Sequence, residues 1–442
     1  MEMTLTEKIL AKGAKRREIR PGENIWVEAD ILMTHDICGP GTINIFHEKF
    51  GPDAKVWDPE KIVVIPDHFI FTQDPRAKEA IAFVRKFVKE QGIQNFYDVG
   101  VNFRGTFETL GEDYAGVCHI VLAKKGHNRP GEIIFGTDSH TCTSGAFGAF
   151  ATGIGDADAA LILGTGKLWV KVPPTMKFVV HGKLPPYLMA KDLILKIIGT
   201  IGVGGATYKA MEFTGEGIEG LHVEEKMTLC NMVIEAGAKN GIIPPTEDVL
   251  SYVRKRTSKP FEAFKSDPGA VYASVHEFRA DEIEPGVAKP HSPGNYETAR
   301  RLKDVAVNRA YIGSCTGGKL TDFQAAARIL KGKKVKIETF VVPATMEVYN
   351  DLYREKLDGK TLADIFKEAL VKGPMPPGCQ ACLGGPDDTV ARATDDTVVI
   401  STTNRNFIGR MGSKKAQVYL ASPYTAAASA VTGYITDPRE FL

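Results

Sequence analysis

Short apolar runs alternate with longer amphipathic segments along the first third of the chain. Residues 61–66 (KIVVIP) and 131–136 (GEIIFG) are short runs rich in β-branched residues, which predicts two buried strands. Between them, residues 77–92 repeat apolar positions at helical spacing and predict an amphipathic helix. Strands that alternate with helices are typical of a parallel sheet covered on both faces, so this pattern indicates an α/β fold.

The same alternation starts again twice. Residues 171–187, where two Pro-Pro pairs bracket a strand, mark the first transition, and residues 224–241 predict a helix beyond it. Residues 258–296 are rich in Pro, Gly and charge and are interpreted as a linker or a meandering surface segment. From about Arg300 a strand, a helix ended by Gly332 and another strand follow. The predicted α/β domains are residues 1–173, 174–290 and 291–442.

Length and charge fit this organisation and narrow the class of protein. At about 150 residues per domain, 442 residues correspond to three domains. The 55 basic and 54 acidic residues leave no charge excess that would attract nucleic acid or an acidic membrane. The N-terminal segment lacks the apolar core of a signal peptide, and no window reaches the roughly 18 apolar residues of a membrane helix. We therefore expect a cytoplasmic protein with neither a nucleic-acid nor a membrane partner.

Three of the seven cysteines form a constellation. An odd number of cysteines in a long chain argues against a disulfide framework. Cys315 lies in a Gly-rich turn between a predicted strand and a predicted helix, while Cys379 and Cys382 form a C-x-x-C turn bracketed by Pro and Gly. Three thiolates from two loops, without a fourth cysteine nearby, fit an iron–sulfur cubane in which one iron stays open and acts as a Lewis acid.

Three other interpretations of these loops stay open at this point. A C-x-x-C turn can belong to a zinc knuckle, although zinc would require a fourth Cys or His at short spacing. It can be a redox pair, although such a pair should open a helix in a thioredoxin-like unit and this one is followed by LGGPDD. Finally, Gly313–Lys319 has the G-x-x-x-x-G-K spacing of a phosphate-binding loop, although Leu320 stands where Mg²⁺ ligation needs Ser or Thr.

Two carboxylate–histidine pairs follow predicted strands. Asp67 and His68 follow one strand, and Asp138 and His140, with Ser139 between them, follow another. A histidine oriented by a carboxylate can donate or accept a proton near neutral pH. Because α/β folds place their sites at the carboxyl ends of parallel strands, both pairs are candidates for acid–base chemistry.

Other polar residues are less distinctive when taken alone. His119 lies within an apolar run, as a core histidine would. Glu212 is interpreted as a solvated surface carboxylate, and His35 lies on a predicted loop. Arg405 and Arg410 stand five residues apart among Asn, Ser and Thr. Because arginine binds carboxylates with two hydrogen bonds, this loop indicates a substrate with two acid groups.

Together these segments resemble the aconitase superfamily, most closely the large-subunit branch that comprises 3-isopropylmalate dehydratase and homoaconitase. The matching motifs occur in the family's order and span nearly the whole chain. They are GTDSHTCTSGAFGAFATGIGDAD, MTLCNMVIEAGAKNG, YIGSCTGGKLTD, PPGCQACLGG, TNRNFIGRMGS and YLASPYTAAASAVTGYITDPREF. The resemblance implies an α/β fold with three domains around a central cluster site, and without the family's swivelling fourth domain.

The resemblance also implies roles for individual residues. The ligands of a [4Fe-4S] cluster would be Cys315, Cys379 and Cys382. The acid–base groups would be paired as Asp67–His68, Asp138–His140 and His119–Glu212. The side chains on the substrate side would be His35, Ser139, Asn404, Arg405 and Arg410.

The implied activity is the removal and re-addition of water on a 2-hydroxy dicarboxylic or tricarboxylic acid. Hydroxide is a poor leaving group, so a metal Lewis acid and a proton donor must stabilise its departure. The main expectation is the large subunit of 3-isopropylmalate dehydratase, a hydro-lyase of leucine biosynthesis. Full-length relatives carry the serine base on the swivelling domain, so we expect a separate small subunit to supply it.

Some positions depart from the family's usual motifs. Gly317 stands where Asn is usual, Ile120 follows His119 where Gln is usual, and residues 34–40 differ from the common pattern. The alternatives are therefore a homoaconitase, or a dehydratase of 2,3-dimethylmalate or another alkylmalate. More distant alternatives are a nucleotide-binding protein that uses Gly313–Lys319 and an apo-protein that binds RNA, the latter disfavoured by the near-neutral charge.

Overall fold

The computed structural model describes residues 2–103 and 107–442. Its strands form three large sheets and two small ribbons. Within the described part of the chain, each helix is too short or too polar to cross a lipid bilayer.

The first sheet has five parallel strands in the order β4-β3-β2-β5-β6. Its strands are β2 (Ile31–Thr34), β3 (Ile62–Val64), β4 (Asn95–Phe96), β5 (Ile133–Gly136) and β6 (Phe150–Gly153). Strands β1 (Asn24–Glu28) and β7 (Lys167–Lys171) form an antiparallel ribbon beside it. The helices of this region are α1 (Leu5–Gly13), α2 (Gly39–Phe50), α3 (Pro75–Gln91), α4 (Cys118–Lys124) and α5 (Asp156–Thr165).

The second sheet has four parallel strands in the order β10-β9-β8-β11. They are β8 (Thr175–His181), β9 (Ala210–Thr214), β10 (Asn240–Ile242) and β11 (Ser274–Arg279). The helices of this region are α6 (Ala190–Ile201), α7 (Glu216–Glu219), α8 (Val223–Asn231) and α9 (Glu247–Arg254).

The third sheet has six strands in the order β13-β12-β19-β18-β14-β15, of which the last four are parallel. They are β12 (Gly286–Ala288), β13 (Tyr296–Thr298), β14 (Arg309–Gly313), β15 (Glu338–Val342), β18 (Val398–Ser401) and β19 (Gln417–Ala421). Strands β16 (Lys356–Leu357) and β17 (Lys360–Thr361) form a small hairpin. The helices are α10 (Leu320–Leu330), α11 (Met346–Leu352), α12 (Leu362–Glu368), α13 (Gln380–Leu383) and α14 (Pro423–Thr432).

Short 3₁₀ helices connect these elements. They are Pro59–Lys61, Phe107–Thr109, Ser139–Phe147, Met232–Ala236, Ala280–Glu282, Ala299–Leu302 and Pro438–Glu440. The longest of them, Ser139–Phe147, follows β5 and packs against α8 and β10, so it joins the first sheet to the second.

These sheets confirm the predicted α/β class. The helix expected at 77–92 begins at Pro75, because Asp74 caps its first turn, and it ends at Gly92 in the left-handed conformation that glycine adopts freely. The prediction of a linker at 258–296 is wrong for the residues of β11 and β12, because β11 pairs with β8 and β12 pairs with β19. Strand β11 is a polar edge strand, so it lacks the apolar run that marks a buried strand. The domain boundaries stay a prediction. Strand β12 lies before the predicted boundary at residue 290, yet it pairs in the third sheet.

The largest apolar cluster draws residues from all three regions. It includes Val117 from the first, Leu193 and Met227 from the second, and Leu420 from the third. The side chains of Cys315, Cys379 and Cys382 belong to the same cluster. The predicted cysteine site therefore lies inside the packed centre of the molecule.

Candidate functional site

The acid–base residues lie where parallel strands of the first sheet end. His35 follows β2 directly, and Asp67 and His68 come three and four residues after β3. Asp36 fixes the second of these segments, because its carboxylate accepts hydrogen bonds from the backbone N–H groups of residues 67 to 69, at 2.5 to 3.2 Å. The chain therefore holds His35 and His68 side by side, with their ring centroids 4.6 Å apart.

Asp67 and His68 form a buried ion pair. The Asp67 Oδ1 lies 2.6 Å from the His68 Nδ1, and its other oxygen accepts the Cys118 N–H at 2.8 Å. Burial opposes a charge on His68, but the negative charge and hydrogen bond of Asp67 outweigh it and raise the pKa of His68 to about 10. The imidazole of His68 is therefore protonated near neutral pH, with its Nε2 4.0 Å from the carboxylate of Asp138.

Asp138 lies among several histidines. Its Oδ1 is 2.9 Å from the His119 Nε2 and accepts the backbone N–H of His140 at 2.7 Å. Its Oδ2 is 4.0 Å from the Nε2 atoms of His35 and His68. Burial opposes ionisation, but His119 and His140 hold the pKa of Asp138 well below its usual range. This carboxylate is therefore a fixed negative charge facing the protonated His68.

The ring of His140 has a different partner. Its Nε2 lies 2.9 Å from the Glu235 Oε1, and the same oxygen accepts a hydrogen bond from the Arg405 Nε at 2.6 Å. Burial opposes the charge on Glu235, but His140 and Arg405 lower its pKa. Ser139 lies nearby, with its hydroxyl 3.4 Å from the His140 Nδ1. Glu235 thus connects an acid–base histidine to an arginine of the predicted substrate loop.

The predicted pairing of His119 with Glu212 is wrong. Glu212 lies on β9 and accepts hydrogen bonds from Ser266 and Tyr272, while His119 pairs with Asp138. The carboxylate that does enter the site from the second region is Glu235, which the spacing of the sequence motifs does not single out. It is the one acidic residue of the motif MTLCNMVIEAGAKNG, four positions after Asn231.

The three cysteines come from two loops of the third region. Strand β14 ends at Gly313. The next residue, Ser314, has a positive φ of 71°, and Cys315 follows it. Cys379 precedes the single-turn helix α13, and Cys382 lies on it. All three side chains are buried, at 2%, 6% and 1% exposure. The structure therefore brings together the sulfurs that the sequence separates by 64 residues.

Two asparagines contact these sulfurs. The Asn231 Nδ2 lies 3.2 Å and the Asn404 Nδ2 3.4 Å from the Cys315 Sγ. The Asn404 Oδ1 lies 3.4 Å from the Cys382 Sγ. Asn404, predicted on the substrate side, therefore spans two of the cysteines. Hydrogen bonds of this kind to sulfur tune iron–sulfur clusters, so the surroundings suit one.

The surroundings favour a thiolate at Cys382, whereas burial raises the pKa of Cys315 to about 12, and the hydrogen bond to Cys382 together with burial raises the pKa of Cys379 well above its usual value. A hydrogen bond from Cys379 lowers the pKa of Cys382 well below its usual value, and the positive charge of Arg410 lowers it further. In the described part of the chain, the Arg410 Nε is buried without a hydrogen-bond partner. Buried polar atoms are rarely left unpaired, so this nitrogen marks a place where a bound group completes the site.

Two clusters of other potential metal ligands lie in the described part of the chain. One consists of His35, Asp36, Asp67 and His68, and the other of His119, Asp138 and His140. Both clusters coincide with the acid–base residues of the first region.

The phosphate-loop interpretation of Gly313–Lys319 is wrong. The Lys319 side chain is fully buried, and its Nζ donates to the Thr228 hydroxyl, the Cys315 carbonyl and the Asp322 carboxylate. Asp322 also accepts the Lys319 backbone N–H and so caps the helix that follows. The groups that would have to bind a phosphate are therefore occupied by the protein itself.

Two departures from the family's motifs are explained by local packing. The side chain of Ile120 is 1% exposed and packs in the large apolar cluster. A Cβ at Gly317 would overlap the Thr402 side chain, whose hydroxyl accepts the Gly313 N–H at 2.9 Å and donates to the Gly313 carbonyl. Neither position carries a side chain that faces the acid–base groups.

Comparisons with known proteins agree on one family. A family model described as "Aconitase family (aconitate hydratase)" matches residues 7–299 and 295–433. The Arabidopsis thaliana protein named 3-isopropylmalate dehydratase large subunit, chloroplastic, is 58% identical over 100% of this chain and 87% of its own length. A Methanothermobacter thermautotrophicus protein, named probable 3-isopropylmalate dehydratase large subunit, is 46% identical over 99% of both chains.

A solved structure shares the fold. The crystal structure of aconitase X from Thermococcus kodakaraensis superposes with a TM-score of 0.51 and covers 97% of this chain and 100% of its own. Its sequence identity is 12%, so it supports the architecture alone.

Proposed function

Because this chain belongs to the aconitase family, we propose that it is the large subunit of a hydro-lyase that dehydrates and rehydrates a 2-hydroxy dicarboxylic acid, most closely 3-isopropylmalate in leucine biosynthesis. The observation that carries the proposal is the contact between the acid–base residues and the cysteine loop: the Cys379 N–H donates to the carbonyl oxygen of Asp67, the partner of His68, at 3.0 Å. The relatives' names support the substrate, since full-length proteins 58% and 46% identical to this one are named for it. The cytoplasmic location stays a prediction.

The three cysteines would hold a [4Fe-4S] cluster. When bound, such a cluster supplies an open iron that acts as a Lewis acid on a hydroxyl group. The residues of the chain fit it, because the sulfurs are buried, contacted by asparagine amides and accompanied by the cationic Arg410.

His68 would donate the proton that the departing hydroxyl group needs. Asp67 holds its Nδ1, which leaves the Nε2 to face the centre, and the raised pKa keeps the ring protonated. Asp138, ionised and held by His119, would attract a proton or a polar hydrogen on the opposite side. This arrangement gives one defined donor and one defined acceptor within the first region.

The arginines would hold the substrate's carboxylates. Glu235 fixes the Nε of Arg405, which leaves the terminal nitrogens of that side chain for an anion. Arg410 offers an unpaired Nε within the described structure. Holding the carboxylates in this way orients the carbon that loses a proton and stabilises the charge that develops beside it.

A second polypeptide would supply the base that removes the carbon-bound proton. Relatives that match over nearly the whole chain are named large subunits. We propose that a small subunit with a serine base completes the site, and that this chain alone binds the cluster with little turnover. Homoaconitate and 2,3-dimethylmalate are the alternative substrates, and residues 34–40 are the departure that still borders the site.

Anaerobic reconstitution with iron and sulfide tests the cofactor. We expect about four irons per chain with visible absorption in the wild type and in Cys230→Ser, whose buried thiol lies outside the cysteine set. We expect Cys379→Ser to lose iron and, with the small subunit present, to lose activity by roughly 10³-fold or more. A full complement of iron in Cys379→Ser would contradict the ligand assignment. Rates on 3-isopropylmalate, homoaconitate and 2,3-dimethylmalate then rank the substrates.

A further inference from the structure

One lysine beside the cysteines is buried without a carboxylate partner. The Lys191 side chain, on α6, is 1% exposed. Its Nζ donates to the carbonyl oxygens of Thr402 and Thr403 at 3.0 and 2.6 Å, and to the Thr316 hydroxyl at 3.2 Å. In the described part of the chain, no carboxylate forms an ion pair with it. The adjacent Asp192 accepts backbone N–H groups of Met189 and Gly286 instead.

Other buried lysines of the molecule do have carboxylate partners. The Lys226 Nζ lies 3.1 Å from Asp248, and the Lys319 Nζ lies 2.6 Å from Asp322. A buried charge without an opposite charge is strongly unfavourable, so proteins pair such groups. No carboxylate of the described residues lies in ion-pair contact with Lys191, so its protonated form depends on a further source of negative charge besides the more distant Asp322.

The position of Lys191 indicates that source. Its acceptors belong to the two loops that contact the cysteines, since Thr316 follows Cys315 and Thr403 precedes Asn404. Burial and the positive charge of Lys319 lower the pKa of Lys191 to about 7, whereas negative charge on Cys315, Asp322 and Cys382 raises it. Negative charge on the sulfurs therefore favours the protonated form of Lys191, which lies in surroundings of low dielectric.

We propose that Lys191 is the buried counter-charge of the iron–sulfur cluster and that it joins the Cys315 loop to the 402–405 loop. This inference rests on the proposed function, because it requires the three cysteines to bind a cluster. Cluster-bound cysteines are thiolates, and each added electron increases the negative charge of the group. A fixed positive charge nearby therefore stabilises the reduced form more than the oxidised form and strengthens retention of iron.

Three proteins test this: wild type, Lys191→Met, and Lys226→Met as the matched control. Lys226 is also fully buried, but its partner is Asp248. After anaerobic reconstitution, the cluster's reduction potential is measured by redox titration and the loss of iron by a chelator challenge. In Lys191→Met we expect the reduction equilibrium to shift tenfold toward the oxidised form, about 59 mV for one electron. We also expect iron loss to be at least tenfold faster, with neither change in Lys226→Met.

A comparison of apo and reconstituted proteins separates this role from a structural one. A ligand stabilises the folded state according to its affinity, so the gain in Tm on cluster binding should shrink in Lys191→Met and stay at the wild-type value in Lys226→Met. A purely structural Lys191 would lower both Tm values equally and leave the potential unchanged, which would overturn the inference. If Lys191→Met fails to fold, Lys191→Arg takes its place as the test. Because arginine keeps the positive charge, we expect the wild-type reduction potential in this variant, and a tenfold shift of the reduction equilibrium would overturn the inference. Absence of iron in the wild type would instead contradict the proposed function.

Discussion

The two halves of the site are completed in different ways. In the half built on the first sheet, each charged group has a partner within the chain: Asp67 with His68, and Asp138 with His119. In the half built on the third sheet, the sulfurs contact asparagine amides and the Ser314 hydroxyl, and the positive charge of Arg410 acts on Cys382. Both halves keep buried nitrogen atoms without a hydrogen-bond partner among the described atoms: the Arg410 Nε in one, and the His35 Nε2 and His119 Nδ1 in the other. The difference is therefore one of charge: folding pairs the carboxylates of the first half with histidines, whereas it leaves the three sulfurs with little compensating charge.

Removal of His68 should give the largest change that leaves the cysteine half intact. In His68→Asn the proton donor is lost, and a positioned acid contributes about 10² to 10⁴ in rate. We expect kcat of the reconstituted enzyme, with its small subunit, to fall by that factor. Iron content should remain at the wild-type level, because the cysteines and their asparagine contacts do not involve His68. A parallel loss of iron would show that the two halves are not completed independently.

Neutralising Asp67, the partner of His68, should change how kcat/KM depends on pH. The folded pKa of His68 is about 10, above its usual value, so the ring keeps its proton until the pH rises through that value. In Asp67→Asn the largest raising charge is gone and only the weaker effects of Asp138 and Asp36 oppose burial, so the pKa should fall to its usual value of about 6.5. At pH 8 only about 3% of the rings would then be protonated, a loss of about 30-fold in kcat/KM that shrinks as the pH is lowered.

The pH profile of kcat/KM provides the measurement for that variant. The alkaline limit should move down in Asp67→Asn, while iron content stays constant. An unchanged alkaline limit would mean that His68 is not the titrating acid.

Two glutamates of the second region offer the smallest and most selective test. Glu235→Gln removes the charge that holds His140 and Arg405, and a hydrogen bond to a charged group is worth about 1.5–3 kcal/mol, or roughly 10-fold to 100-fold in kcat/KM. Glu212→Gln is the control, because its contacts with Ser266 and Tyr272 lie outside the site. We expect kinetics within about twofold of wild type there, with a loss of about 1 kcal/mol in the free energy of unfolding. Equal kinetic effects of the two substitutions would contradict the assignment of Glu235.

Local sequence was sufficient where the partners are neighbours in the chain. Asp67 and His68 are adjacent, and the C-x-x-C spacing holds Cys379 and Cys382 on one turn, so both features could be predicted. The partners of His119 and His140 could not be predicted. Asp138 is close to His140 in sequence, but in the structure its carboxylate is hydrogen-bonded to the ring of His119. Only the packing of the Ser139–Phe147 helix against the Met232–Ala236 helix, which carries Glu235, brings this carboxylate to the His140 ring.

The same distinction applies to the fold. Apolar strands such as β3 and β5, all of whose residues are buried, could be recognised from their composition. Strand β11 could not, since it forms the edge of its sheet and alternates half-buried residues such as His276 with exposed residues such as Glu277 and Arg279. Its register with β8 is determined by the sheet and not by its own hydrophobicity.

The contact between Gly317 and Thr402 has a consequence for how such a chain can diverge. The threonine side chain fills the space that a larger residue at 317 would need, and its hydroxyl serves the backbone of Gly313. A side chain at position 317 would require the Thr402 side chain to move, which would disturb its hydrogen bonds to Gly313. The two positions, 85 residues apart in sequence, form one packing unit, so we expect a substitution at 317 to destabilise the loop less when residue 402 is changed with it.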